Sequence, residues 1–242
     1  MGLSEGNSVG KRAVTLGSRR TVSALPTVVV GLTAWLACGT AHPVWADAAE
    51  PIRLLSVNAA TTSGNGASNG VAVSSDGTVG AFYSDATDLV PSDTNQARDV
   101  FVRDANAGTM ERVSVSSSGS QANGPSHLAG GRVAVSGDGD VVAFYSLATN
   151  LVTGDTNQQP DVFVRVRSLG VTQRVSVASD GTQGDGASVL PSISSDGRLI
   201  AFQSEADNLV PGDTNHVADI FVHDRITGLT ERVCNLQGNK SS

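Results

Sequence analysis

Apolar and polar positions recur along this chain in a fixed order, and phenylalanine marks that order most clearly. All six phenylalanines fall at two positions of one unit: Phe82, Phe144 and Phe202 at the first, and Phe101, Phe163 and Phe221 at the second. Successive copies are separated by 62 and then by 58 residues. A fixed period of this kind indicates a stacked repeat architecture.

Each unit predicts four short β-strands. An Asp-Gly pair stands before the first phenylalanine of each unit, as in Asp138-Gly139, and Asp-Gly between β-rich runs is a hairpin signal. The two runs that contain phenylalanine carry apolar residues on both faces, so we expect these strands to be covered on both sides. No stretch after residue 46 has the apolar spacing of a helix.

The units span 53–111, 112–173 and 174–231, each opening on Arg followed by Val or Leu, and residues 232–242 begin a degenerate fourth unit. From the Asp of the turn to the next such Arg there are 36 residues in every unit. The Gly/Ser/Asn-rich stretch before the turn measures 23, 26 and 22 residues. We therefore expect a rigid core alternating with a loop that tolerates insertions.

The predicted fold is all-β, with three β-propeller blades of four antiparallel strands and about 60 residues in each blade. A propeller closes with about four to eight blades, so three blades make an incomplete ring. The alternatives are a ring completed by dimerisation, a shortened form of a longer propeller, and an open arc. Because an open arc exposes strand edges and invites aggregation, the first two alternatives are favoured.

The segment Ile193-Ser-Ser-Asp-Gly-Arg-Leu-Ile-Ala-Phe202 resembles the WD-like blade motif of TolB-type β-propellers. The resemblance recurs in each unit and covers 53–234. It implies the propeller fold. It does not extend to the separate N-terminal domain of TolB, so the role of TolB in the cell envelope is not expected here.

Residues 1–46 are predicted to be an export signal, and 47–242 the propeller domain. Basic residues (Lys11, Arg12, Arg19 and Arg20) precede an apolar stretch, and Val44-x-Ala46 suits cleavage before Asp47. The prediction is a secreted protein, exported by the general or the twin-arginine route. An uncleaved membrane anchor is the alternative.

The charge balance argues against two classes of partner. The whole chain has a net charge of −7, and loss of residues 1–46 would change it to −10. Such an acidic surface repels phosphate backbones, so neither nucleic acid nor an anionic membrane is an expected partner.

One oxygen-rich loop per unit is the candidate site, and Ca²⁺ is its candidate cofactor. Calcium takes six to eight oxygen ligands, commonly from Asp and Asn one or two residues apart. The alternative is an ordinary Asx turn without metal. The candidate ligands at equivalent positions of the three loops are Asp88, Asp93, Asn95 and Asp99; Asn150, Asp155, Asn157 and Asp161; and Asn208, Asp213, Asn215 and Asp219.

Signals for catalysis are poor. Gly-x-Ser-x-Gly occurs at 2–6, 6–10 and 66–70, but none of these lies between a strand and a helix as a nucleophile elbow requires. His127, His216 and His223 are predicted to be surface residues. All aromatic residues after residue 46 fall at strand positions and are predicted to be core, which leaves none for sugar stacking.

These observations predict a secreted, non-enzymatic β-propeller that binds or scaffolds an unknown protein or cell-wall partner, with calcium as a stabilising ion. A homodimer is also expected as one way to complete the ring. The alternative function is a propeller fragment or accessory domain of a secreted peptidase or hydrolase. Because fold alone does not determine function, the choice depends on the site.

Overall fold

The computed structural model describes residues 54–127 and 131–234. The predicted export signal lies outside these residues. No helix long and apolar enough to cross a membrane occurs in the described part of the chain.

The described residues form twelve strands in three sheets, one sheet for each predicted unit. Blade 1 consists of β1 (Ser68–Val73), β2 (Val79–Ser84), β3 (Asp99–Asp104) and β4 (Thr109–Arg112). Blade 2 consists of β5 (Ala134–Val135), β6 (Val141–Ser146), β7 (Asp161–Val166) and β8 (Val171–Arg174). Blade 3 consists of β9 (Ser188–Ile193), β10 (Leu199–Ser204), β11 (Asp219–Asp224) and β12 (Thr230–Cys234).

In every blade the four strands pair antiparallel in chain order, which confirms the predicted blades. The Asp-Gly turns fix the first hairpin of each blade. Asp76 accepts hydrogen bonds from the Ser74 hydroxyl and the Thr78 amide, and Gly77 takes a positive φ of 74°. Because glycine lacks a Cβ, it adopts this conformation without strain. The same donors hold the pKa of Asp76 below its ordinary value.

The period-2 alternation of the central strands gives each blade two different faces. One face carries two phenylalanines that pair across the second and third strands, with ring centroids 6.0 Å apart in each blade. We call it the phenylalanine face. The other, the aliphatic face, carries small and branched residues: Val79, Ala81, Val100 and Val102 in blade 1, Val141, Ala143, Val162 and Val164 in blade 2, and Leu199, Ala201, Ile220 and Val222 in blade 3.

Neighbouring blades pack one aliphatic face against one phenylalanine face. The aliphatic face of blade 1 forms one core cluster with Phe144 and Phe163, and the aliphatic face of blade 2 forms another with Phe202 and Phe221. Large rings thus fill the space left by Val and Ala, as close packing requires. The expectation that the six phenylalanines, Tyr83 and Tyr145 form the core is confirmed.

Backbone hydrogen bonds also link the three Asp-Gly turns. The Ser75 amide donates to the Gly137 carbonyl over 2.9 Å, and the Gly137 amide donates to the Ser195 carbonyl over 2.7 Å. Packed interfaces join blade 1 to blade 2 and blade 2 to blade 3, and no comparable interface joins blades 1 and 3 among the described residues. The arc of three blades is therefore open.

The first repeat begins one residue later in the structure than its Arg53 start suggests. Val57, Val115 and Val177 form equivalent isolated bridges with Ser63, Gln121 and Gln183. Counting back from these bridges, Leu54 stands at the position of Arg112. The register of the repeat is therefore set by these bridges, and Leu54 takes the position that Arg112 and Arg174 have in the later units.

The segments that connect successive blades are less tolerant than their composition suggests. A glycine recurs in each: Gly66, Gly124 and Gly186. A Cβ on Gly186 would lie 2.6 Å from the backbone carbonyl of Glu205, and one on Gly66 would lie 2.4 Å from the Ala86 amide nitrogen. At Gly66 and Gly186 the segment therefore lies directly against the backbone of the blade that follows it, where only glycine fits.

We predict that Gly186→Ala destabilises the protein by about 1–3 kcal/mol, because the added methyl forces two backbone segments apart. The control is Gly184→Ala, whose Cβ would meet its nearest neighbours at 3.4 Å and whose equivalent is the buried Ala122. Thermal unfolding followed by circular dichroism measures both. Equal melting temperatures for the two variants would contradict the close approach at Gly186.

Candidate functional site

The acidic loops lie between the second and third strands of each blade and end at a fully buried aspartate. Asp99, Asp161 and Asp219 are the first residues of β3, β7 and β11 and have no exposed surface. The side chains of Asp93, Asp155 and Asp213 are nearly as buried. Each loop therefore brings two carboxylates into the protein interior.

One arginine in each blade joins these two carboxylates. In blade 2, Arg174 Nη1 lies 3.6 Å from Asp155 and 3.3 Å from Asp161. Arg112 in blade 1 and Arg232 in blade 3 make the equivalent contacts, with distances between 2.6 and 3.4 Å. We call each such group, an arginine with its two aspartates, a carboxylate brace.

A serine and an asparagine complete the braces of blades 1 and 2, and Asn215 donates to Asp219 in blade 3. In blade 1, the Ser114 hydroxyl donates to Asp99 Oδ1 over 2.6 Å, and Asn95 Nδ2 donates to Asp99 Oδ2 over 2.9 Å. Ser176 and Asn157 repeat this arrangement around Asp161. A buried carboxylate needs such donors because water is not available to solvate it.

Burial is the largest influence on the pKa of two of these carboxylates, Asp99 and Asp161. Loss of solvation raises the pKa of Asp99 and of Asp161 above the ordinary range, while the Ser114 and Ser176 hydroxyls act in the opposite direction. Hydrogen bonds to the charged form and a nearby arginine oppose the effect of burial. The brace is thus a balanced structural unit and not an exposed group of acids.

The structure brings three of the four candidate ligands of each loop together and leaves the fourth apart. The residue left apart is the first of each set in chain order: Asp88, Asn150 or Asn208. Its side chain accepts a hydrogen bond from a backbone amide of the connecting segment. Asp88 accepts from the Asn65 amide over 2.9 Å, and Asn150 accepts from the Asn123 amide over 3.0 Å. Asn208 accepts from the Asp185 amide over 3.1 Å.

Each loop already has a positive charge between its two carboxylates. The positive charge between the two carboxylates is the arginine guanidinium, and Asn95 presents its nitrogen, not its oxygen, to Asp99. Within 54–127 and 131–234 no three His, Cys, Asp or Glu residues are grouped to hold a metal. The calcium assignment stays a prediction that a metal titration must test. The arginine recurs at a fixed distance from the turn, and this recurrence was the sequence signal for the brace.

The three histidines differ in their surroundings, and two of the surface predictions are wrong. His216 is exposed and pairs with Asp207 over 2.6 Å. His223 is buried and contacts the Thr230 hydroxyl over 2.9 Å. His127 is also buried, with its ring between Tyr83 and Tyr145 at centroid distances of 5.2 and 4.3 Å.

His127 lies in the longest of the three connecting stretches. Its ring contacts Tyr83 of blade 1 and Tyr145 of blade 2. Its two ring nitrogens accept or donate no hydrogen bond among the described residues. Burial, together with the Arg98 charge, lowers the pKa of His127 to about 3.

Two equivalent cavities open on the surface that carries the acidic loops. The first has a volume of about 580 Å³ and lies between Ser116–Ser120 of blade 1 and Asn150–Thr153 of blade 2. The second, of about 460 Å³, lies between Ala178–Asp180 and Asp207–Gly212, one blade further on. Hydroxyl and amide groups line the first cavity, and Asp180 and Asp207 add acidic groups to the second.

We predict that Cys234→Ser stabilises the protein by about 1 kcal/mol. Residue 234 stands where Ser114 and Ser176 donate to their aspartates, and Asp219 Oδ1 is buried without a hydrogen-bond partner among the described residues. A serine there would donate to Asp219 Oδ1 as Ser114 and Ser176 donate to their aspartates. The expected rise in melting temperature is about 2–4 °C. The reverse change, Ser176→Cys, is the matched control and should lower it; a rise in that variant would contradict the account.

We predict that stability falls as the pH decreases from 7 to 5, in part because of His127. The unfolded chain takes up a proton near pH 6.5, whereas the folded protein excludes it until about pH 3. At pH 5 the resulting loss is about 2 kcal/mol. His127→Phe keeps a ring between the tyrosines and should reduce this pH dependence in chemical unfolding, whereas His216→Asn should retain it. An unchanged slope in His127→Phe would contradict the assignment.

Comparison with known proteins gives similarity at the level of structure. No family model matches the chain, and no curated protein matches its sequence. A protein from Agrobacterium tumefaciens assigned as a TolB is 19% identical, with a TM-score of 0.44 over 69% of this chain and 46% of that one. The β-propeller domain of the Trilobed protease from Pyrococcus furiosus is 10% identical, with a TM-score of 0.45 over 70% and 43%.

An acylaminoacyl peptidase from Pyrococcus horikoshii is 10% identical, with a TM-score of 0.39 over 69% of this chain and 24% of that one. The chain spans less than half the length of each of these three structures. The strand order of its three sheets and the turn repeated in each give the chain a β-propeller fold.

Proposed function

We propose that this chain is an exported, non-enzymatic β-propeller module that binds or scaffolds a protein or cell-wall partner through the surface that carries its acidic loops. The observation that carries the proposal is the pair of equivalent cavities, of about 580 and 460 Å³, spaced one blade apart. A partner with an extended chain can contact both at once. Such repeated contact raises affinity without any single strong site.

The construction of this surface supports the proposal. The cavity walls are loops, and the rigid blades beneath hold them in place, which is the usual arrangement of binding surfaces. Thr172 lines the first cavity, and its hydroxyl donates to the Val115 carbonyl across the contact between blades 1 and 2. Thr230 makes the equivalent bond to Val177. The spacing of the two cavities is therefore fixed by the stacking of the blades.

The chemistry of the cavities narrows the class of partner. The first offers hydroxyl and amide groups over an apolar floor that includes Leu151, and the second adds carboxylates. Peptide groups and amino sugars supply matching donors and acceptors, and basic groups suit the second cavity. The acidic net charge disfavours nucleic acid and anionic membranes as partners. The alternative function, an accessory propeller of a secreted peptidase or hydrolase, predicts that the bound partner is such an enzyme.

We predict that Thr153→Trp, which fills the first cavity, weakens partner binding by about tenfold or more without loss of stability. Thr153 is exposed and lies at the rim. The matched control is Asn106→Trp, on the exposed turn between β3 and β4 at the opposite end of the blades.

The measurement is co-sedimentation of the purified chain with peptidoglycan, together with crosslinking to exported proteins of the source cell. Binding that survives Thr153→Trp, or that Asn106→Trp weakens equally, would contradict a site at these cavities. Copurification of a peptidase or hydrolase would favour the alternative function.

A further inference from the structure

The two ends of the arc expose surfaces that are buried at every other blade contact. On the aliphatic face of blade 3, Leu199 is 41% exposed and the neighbouring Val233 is 64% exposed. Their equivalents in blades 1 and 2 are buried, with Val113 at 0% and Val175 at 1%. Blade 3 therefore carries the aliphatic half of a blade contact, and no phenylalanine face covers it among the described residues.

Blade 1 carries the complementary half. Val71 is 57% exposed on β1, whereas Val133, its equivalent in blade 2, is 3% exposed. An apolar groove of about 260 Å³ lies beside it, lined in part by Leu55 and Phe82. In blade 2 the corresponding space is filled by the aliphatic face of blade 1.

The hydrogen-bonded row of Asp-Gly turns ends in the same complementary way. The Gly137 backbone both accepts from Ser75 and donates to Ser195. In the described chain the Ser75 carbonyl and the Ser195 amide are the two ends of this row. The Ser195 amide at one end of the arc could therefore donate to the Ser75 carbonyl at the other end of a second copy, which would continue the row.

From these surfaces we propose that two copies of this chain associate head to tail, with blade 3 of each copy packed on blade 1 of the other, into a closed ring of six blades. Six lies within the range of about four to eight blades at which propellers close. Each junction repeats the contact that already joins blades 1, 2 and 3. A two-fold axis gives two identical junctions and leaves no exposed face.

The repeat positions of the described residues match this arrangement. Val57 is equivalent to Val115 and Val177, and Cys234 is equivalent to the residue just before Val57, so residues 57–234 contain every repeat position three times. In the ring, the end of β12 in one copy would lie beside the start of the connecting segment at Val57 in the other copy. Within one chain, the end of β4 leads in the same way into the connecting segment that starts at Val115.

Residues 54–56, which we call the strap, occupy the place that β12 of a second copy would take. Leu54 and Leu55 are equivalent to Arg232 and Val233. The strap belongs to no strand, and its Leu55 lies against the Phe82 cluster of blade 1. Ring closure therefore requires the strap to move away, with loss of the contact of Leu55 with the Phe82 cluster and of the hydrogen bond from the Gly64 amide to the Ser56 carbonyl.

The test is sedimentation velocity of the full chain over a range of concentrations. We expect a dimer with a dissociation constant in the micromolar range or tighter. Val233→Asp and Val71→Asp place a carboxylate on the two opposite faces and should each weaken the dimer by about a hundredfold or more, because both junctions carry the change. Both side chains are exposed in the single chain, so folding should be unaffected, as circular dichroism would verify.

The matched control is Ile226→Asp, at a 76% exposed position on the turn between β11 and β12, which should leave the dimer unchanged. In an equimolar mixture of Val233→Asp and Val71→Asp, one junction of the mixed dimer carries both changes and the other carries none. The unmodified junction should let the mixture associate more tightly than either variant alone. Dissociation by Val233→Asp but not by Val71→Asp would show blade 3 paired with blade 3 and would overturn the proposal. A chain that stays monomeric, or associates equally in all variants, would also overturn it.

The strap offers an independent check. The strap competes with the second copy for the same place, and Leu55→Ala weakens the contact of the strap with blade 1. This variant should therefore tighten the dimer by about tenfold, in proportion to the larger fraction of chains in which the strap has moved away. Leu54→Ala, at an exposed neighbouring position, is the control and should have little effect. Weaker association of Leu55→Ala would mean that the strap belongs to the interface, which contradicts its displacement.

Discussion

The buried aspartate at the start of each third strand is the constraint on which the blade depends. Asp161 has no exposed surface, so its charge must be met inside the protein. Arg174 on the fourth strand, Ser176 just after it and Asn157 in the loop contact this carboxylate. This single requirement explains why asparagine and arginine recur with the same spacing in all three units, and serine in the first two. It also fastens the loop, the third strand and the fourth strand of a blade to one another.

The packing of the blades depends on their two different faces, and the brace fixes the strands that carry these faces. Each blade offers an aliphatic face on one side and a phenylalanine face on the other, so blades stack in one direction only. The contacts between the blades are equivalent, and the two surface cavities are therefore spaced by one blade. The same regularity makes the two ends of the arc complementary, which links the proposed ring to the fold itself.

The strands and the core could be predicted from the sequence because they depend on local alternation and on turn chemistry. The phenylalanine positions and the Asp-Gly turns placed every blade correctly. The brace could not be predicted as readily, because Arg174 lies 13 residues beyond Asp161 and meets it only when the third and fourth strands pair. Asp and Asn in a loop suit a cation or a guanidinium equally, and only the fold brings the guanidinium there. Burial of His127 likewise depends on a contact between two blades.

The central claim is that arginine, and not a metal ion, neutralises the acidic loops. Thermal unfolding of the full chain in excess Ca²⁺ and again in a chelator tests it most directly. The account predicts the same melting temperature in both. A calcium concentration a hundredfold above the dissociation constant would stabilise a calcium-binding protein by about 2.7 kcal/mol, which corresponds to roughly 5–10 °C. A shift of that size, lost in Asp155→Asn, would contradict the account and establish the loops as calcium sites.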